Sequence, residues 1–192
     1  MATLHFITHP EVTIDPFVPV PEWLLSPEGV RRMSLALEQP WLRELGAVFS
    51  SAERKATDAA RLIANRFDLP SVTIEELGEN DRSATGYLPK AEFEATADLF
   101  FAHPERSVRG WERAVDAQRR IVAAVEQVIA EAPGRGDIAV VSHAGVGALL
   151  LCHLKGLPIN RAEDQPGAGG GCFYSVDVGS RALISGWRLI ED

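Results

Sequence analysis

Cysteine is scarce in this sequence. Only Cys152 and Cys172 occur among 192 residues, with no CxxC spacing. This argues against a disulfide scaffold and a cysteine-rich zinc site, and it suits a reducing compartment. Long apolar runs are missing too. The most hydrophobic patch, "ALLLCHL" at 148–154, falls far short of the ~20 residues that cross a bilayer. The N-terminus has no basic segment leading into an apolar stretch. A cytoplasmic chain with no membrane partner is expected. Positive charge is the third shortage, since 19 Lys and Arg face 27 Asp and Glu for a net charge of −8. Nucleic-acid binding needs a basic face, so no nucleic-acid partner is expected. A local cluster of cations can still hold a small anion against the global sign.

What is present is a core. Hydrophobic residues make up 46% of the chain, enough for one domain over 1–192. No internal repeat or low-complexity linker divides it. Short apolar segments at 3–8, 46–50, 71–77 and 137–142 read as strands, and 172–178 and 182–190 as two closing strands. Between them lie helical patterns. One starts at Ser26 as N-cap with Pro27 in the first turn. A second, "SSAERKATDAARLIANRF", is expected to open with a capping box of Ser50 and Glu53. Two more follow near 90–102 and 107–132, and the last runs from His143 to Lys155-Gly156. "DPFVPVPEW" at 15–23 carries too many prolines for regular helix, and "QPGAGGG" at 165–171 reads as a flexible turn. Strands alternating with helices predict an α/β fold, a three-layer sandwich around a mostly parallel central sheet.

Three of these strands end in a small hydroxyl residue beside a reactive group. They are Thr8-His9, Ser50 with Arg54 just beyond, and Ser142-His143. Ligands of open α/β sheets sit outside the carboxyl ends of the strands, so the three ends can converge on one crevice. A cation in the first turn of a helix is mildly unfavourable unless an anion lies nearby, which makes Arg54 a candidate phosphate ligand. Two imidazoles, a guanidinium and a helix N-terminus suit a phosphoryl group.

These residues resemble the histidine phosphatase superfamily, the phosphoglycerate-mutase-like fold. "THPE" stands where that family has Arg-His-Gly followed by Glu or Gln, and it keeps His9 and Glu11. Leu25-Ser26 with Gly29, Ser50 with Arg54 and Ala59, Leu77-Gly78-Glu79, and Ser142-His143-Ala144-Gly145 match the family's later elements in order and spacing. The resemblance covers residues 3 to about 155. It implies a metal-independent phosphomonoesterase with no cofactor, in which His9 is the nucleophile, Arg54 and His143 bind the phosphoryl oxygens, and Glu79 is the acid and base. Glu76 and Asp81 are sequence-level rivals of Glu79. The substrate would be a phosphorylated small molecule or a phosphohistidine protein. The chain lacks the long insertions of the family's mutases, so hydrolysis is favoured over transfer.

Two positions depart from the pattern. Thr8 replaces the family's arginine among the phosphate contacts, and Pro10 replaces its glycine. A charged donor of this kind is worth about 2–4 kcal/mol in comparable sites. Arg82 is the first candidate to replace it and Arg109 the second. Lys55 is the weaker choice, because adjacent residues on a helix point ~100° apart and cannot share a face with Arg54. The rival function is a phospho-ligand binding module that keeps the pocket without the rate.

Overall fold

The computed structural model describes residues 2–167 and 169–192. Met1 lies outside the described residues, as does Ala168 within the expected glycine-rich turn. Eleven regular elements alternate along the chain. They are β1 (Thr3–Thr8), α1 (Pro27–Ala36), β2 (Leu45–Ser50), α2 (Arg54–Phe67), β3 (Ser71–Thr73), α3 (Lys90–Ala102), α4 (Ala114–Glu131), β4 (Asp137–Ser142), α5 (Ala144–Leu154), β5 (Cys172–Asp177) and β6 (Leu183–Leu189). The strands form one sheet in the order β3-β2-β4-β1-β5-β6. The first four are mutually parallel, and β5 and β6 run antiparallel at the edge. The expected α/β architecture with a mostly parallel sheet is the one found.

Strand alternation divides the core in two. Leu4, Phe6, Ile138 and Val140 face α4 and α5, while Ile7, Val48, Ala139 and Val141 face α1 and α2. Phe6 is fully buried and stacks on Tyr174 with ring centroids 5.1 Å apart. Helix α2 buries Ala56, Ala59, Ala60, Ile63 and Ala64, small side chains that let its axis lie close to the sheet. Ser26 caps α1 by accepting from the Gly29 amide, and Pro27 opens the first turn.

Three local expectations change. Strand β3 stops at Thr73, and Glu75–Leu77 form a 3-10 turn. Helix α4 begins at Ala114, because Arg109 and Gly110 adopt positive φ and break the expected helix there. The capping box of Ser50 and Glu53 does not form. Ser50 remains the last residue of β2, and Glu53 is the N-cap of α2 without a side-chain cap bond.

Register brings the strand ends together. Thr8 pairs with Ser142 and Ser50 with Val141. The His9 amide donates to the Ser142 carbonyl at 3.1 Å and the Ser51 amide to Val141 at 3.0 Å. The residues just after β1, β2 and β4 therefore lie side by side. Phe6→Ala should lower the unfolding free energy by about 3–5 kcal/mol, read as a shift of the urea midpoint with an unchanged slope.

Candidate active site

His9 sits just past β1 with its ring edge-on to His143, the centroids 5.1 Å apart. Its Nδ1 lies 2.9 Å from the Pro10 carbonyl oxygen. A carbonyl can only accept, so Nδ1 carries the proton and Nε2 of the neutral ring keeps its lone pair. Pro10 is buried and its fixed φ holds that carbonyl in place. A glycine loop supports the same backbone from behind. The Gly171 amide donates to the His9 carbonyl at 3.1 Å. Gly170 has φ +69°, and a Cβ there would lie 2.1 Å from that oxygen. The glycine-rich turn is thus a buttress for His9, which its composition alone does not reveal.

The order of charges beneath His9 differs from the expected one. Arg54 turns outward, half-exposed, and its Nε donates to Asp58 at 2.9 Å. The structure does not bring Arg54 to the cluster. Its neighbour Lys55 points in and is only 3% exposed. The two residues do fall on different faces, but Lys55 takes the inner one. Ser51 and Lys55 stand four residues apart, the same spacing as Ser50 and Arg54. Lys55 Nζ donates to the Val20 carbonyl at 2.8 Å and pairs with the Glu53 carboxylate. That carboxylate also accepts the Glu79 amide at 3.0 Å and lies 3.4 Å from His143 Nε2. Ser51 Oγ is 2.7 Å from the same nitrogen. The sequence singles out Glu53 only as a capping-box partner of Ser50, and its role beside Lys55 and His143 depends on burial that the sequence does not display.

Glu79 closes the other side. Its carboxylate accepts from the amides of Gly145 and Val146, both at 3.0 Å, and of Asn80 at 3.1 Å. It caps the N-terminus of α5, where the macrodipole favours an anion. Arg120 holds the loop behind it, donating to the carbonyls of Glu76 at 2.7 Å, Gly78 at 2.9 Å and Glu79 at 3.1 Å, while Glu112 anchors the guanidinium at 2.8 Å. The exposed Glu76 and Asp81 lie on the outer side of this loop, around a separate acidic cavity, and Asp81 accepts from the Ser83 amide.

A cavity of about 410 Å³ opens in front of His9, lined by Glu79, Arg82, Phe93, Ala144 and Gln165 among others. Arg82 is its one cation among the described residues. The Arg82 guanidinium lies over the rings of Phe93 at 5.1 Å and Trp111 at 5.7 Å. Thr8 is fully engaged, donating to Gln165 at 2.6 Å and accepting the Cys172 amide at 3.0 Å. Its hydroxyl serves β5 rather than replacing a cation. Arg109 pairs with Glu92 and does not line this cavity. Among the described residues, no group of three His, Cys, Asp or Glu stands close enough to hold a metal ion, and no helix is long and apolar enough to cross a membrane.

Burial depresses both imidazoles. His143 falls from 6.5 to about 4, chiefly by desolvation, with the Glu53 charge pulling weakly the other way. His9 also falls to about 4, again by desolvation first, opposed by its bond to Pro10. His9 keeps an exposed edge at the cavity, so water counters part of its shift, and the buried His143 is the firmer case. For Glu53, burial acts upward. The charges of His143 and Lys55 and the hydrogen bonds from Lys55 and the Glu79 amide outweigh it, bringing the group to about 2. At neutral pH His143 is uncharged, so Lys55 is the partner that matters.

Both shifts imply acid lability. Below pH 6.5 the unfolded chain protonates His143 while the folded one resists until about 4, so stability falls through that window. Glu53 adds a second loss between 4.5 and about 2. Urea midpoints at stepped pH should show both. Glu53→Gln should remove the lower window and, by leaving Lys55 buried without its counter-charge, cost about 3–5 kcal/mol at neutral pH.

The family model of the histidine phosphatase superfamily (branch 1) matches residues 17–181. The match begins beyond His9, where the departures at Thr8 and Pro10 lie. No curated protein matches the sequence. Among solved structures, the chain is similar to mycobacterial glucosyl-3-phosphoglycerate phosphatase with inorganic phosphate, at 21% identity and TM-score 0.79 over 100% of both chains. It is similar to YhfR of Bacillus stearothermophilus at 19% identity and TM-score 0.76, covering 95% of this chain and 94% of that one. A putative alpha-ribazole-5'-P phosphatase from Escherichia coli aligns at 20% identity and TM-score 0.70, over 98% and 95%. These likenesses establish the fold, and the family match covers most of the sequence. The chain belongs to the histidine phosphatase superfamily.

Proposed function

We propose that the chain is a phosphomonoesterase working through a phosphohistidine, with His9 as the nucleophile. The observation that carries this reading is the His9 tautomer. Its Nδ1–H is committed to the Pro10 carbonyl, leaving a neutral Nε2 lone pair free for attack. In the first step Nε2 bonds to phosphorus and the P–O ester bond breaks. Its electron pair leaves with the alcohol oxygen, which takes a proton from Glu79. In the second step Glu79 takes a proton from water, the water oxygen bonds to phosphorus, and the P–N bond breaks to release phosphate. Arg82 faces the developing charge from the open cavity and His143 from below. The reading needs no metal. Hydrolysis of a phosphorylated small molecule or of a phosphohistidine protein fits it, and mutase activity is not part of it.

A second reading, a non-catalytic phospho-ligand binding module, is favoured by one specific observation. The buried Lys55 is neutralised by Glu53, so among the described residues Arg82 is the one cation lining the cavity, where the family pattern supplies more positive charge. Turnover of p-nitrophenyl phosphate separates the two. Wild type should be slow but measurable and indifferent to chelator, and His9→Ala should lose about 10³-fold or more. Arg82→Ala should lose about 10²-fold in kcat/KM, whereas the outward-facing Arg54→Ala should stay within about twofold. The kcat/KM profile should be bell-shaped, rising as His9 deprotonates near pH 4 and falling as the acid that protonates the leaving oxygen loses its proton. No turnover by wild type, combined with tight vanadate binding, would favour the binding module. Turnover that survives in His9→Ala would remove the nucleophile.

A further inference from the structure

The cavity before His9 continues into a second chamber of about 630 Å³. The two share Ile14, Arg82, Phe93, Ala144, Gln165 and Gly169, so a molecule with its phosphoryl group at His9 must place its remainder there. We infer that this remainder, the leaving group, is a bulky aromatic alcohol. The inference rests on the phosphatase reading for the phosphoryl end alone. Its own basis is the chemistry of the chamber walls.

Those walls are mostly apolar. Trp23, Tyr87, Phe93, Leu88 and Val20 surround the space, and the Trp23 and Tyr87 rings stand 5.8 Å apart at 57°. The volume suits a ligand of several rings. Several polar groups at the rim are already committed, although Lys90 also lines the chamber. Arg161 is bonded to Glu94, Asp98 and Asp164. Gln165 Oε1 accepts from Thr8, and the Trp23 indole N–H donates to the carbonyls of Asp15 and Val18. A polyhydroxylated leaving group would lose hydration against the apolar walls on entering. An aromatic one would stack against the walls without breaking a bond. The wall that carries Trp23 is also stiff, because Pro16, Pro19 and Pro21 precede it and restrict the loop before any ligand arrives. Ile14 of the same segment lines both cavities and is 59% exposed, adding apolar surface at the chamber rim.

The test compares two alkanol esters, so that leaving-group reactivity does not decide the result: 2-(1-naphthyl)ethyl phosphate and glycerol 3-phosphate. Wild type should prefer the naphthyl ester by about tenfold or more in kcat/KM, mainly through KM. Trp23→Ala and Tyr87→Ala should each lower that preference ratio about tenfold, and Trp23→Phe should restore most of it. Tyr87 lies in a loop, so its variant guards against a folding defect in the first. Equal kcat/KM for the two esters, or an unchanged ratio in both variants, would overturn the inference. If wild type turns over neither, calorimetry with the same two compounds decides. Tighter binding of the naphthyl ester upholds the chamber while the phosphatase reading falls, and equal or absent binding of both sinks the chamber.

Discussion

The buried carboxylate of Glu53 is the interaction on which the site's internal order depends. It holds Lys55, approaches His143 and accepts the amide that begins the Glu79 segment. One side chain thus connects the ends of β2 and β4 with the loop after β3. A buried lysine without it would carry an uncompensated charge, and a buried carboxylate without the lysine would do the same. The pair adds little net stability relative to apolar side chains of equal size. What it sets is geometry, because each partner can satisfy the other in only one arrangement. His143 stays neutral within that arrangement, its Nε2 held beside Ser51 and Glu53.

Much of this fold was legible in the sequence because its signals are local and repeated. Apolar strands of six residues, alternating with helices that end in Gly or begin with Ser-Pro, leave few architectures open. The convergence of His9 and His143 followed from the strand-end rule, and parallel register between β1 and β4 delivers it. The failure came at a single residue of register after β2. Two consecutive serines, Ser50 and Ser51, offer two alignments of the same motif. Composition favours the one that places an arginine in the pocket. Packing decides for the other, since Ala56, Ala59 and Ala60 must face the sheet and this rotation carries Lys55 inward. Tertiary burial, not local preference, fixes which of two adjacent cations turns inward.

Other determinants were silent for a different reason. The glycines behind His9 matter through close approach of two backbones separated by about 160 positions in the chain, and no local pattern encodes such contact. Gly29 is similar, since a Cβ there would lie 2.2 Å from the Glu11 carbonyl. That approach ties the segment after His9 to the start of α1, where Ser26 also donates to the Glu11 carboxylate. Arg120 reads in sequence as an ordinary helix-surface cation. Only the fold shows that three carbonyls around Glu79 converge on its guanidinium.

Charge and shape in the crevice then bear on each other. At the proposed phosphoryl end, Lys55 is paired with Glu53 and Thr8 is spent on β5, which leaves Arg82 as the one cation lining the smaller cavity among the described residues. In the proposed reading, such a site would bind a phosphate weakly by electrostatics alone. Binding energy from remote parts of a substrate can be used to orient the reacting group, and the adjoining apolar chamber is where this chain can collect it. Arg82 joins the two regions, its charge towards the phosphoryl end and its flat face against Phe93 and Trp111. A guanidinium stacked in this way is held in position before the substrate arrives, so less ordering remains to be done on binding. In the proposed reading, a single cation at the phosphoryl end and an aromatic chamber beside it place most of the recognition on the group that leaves.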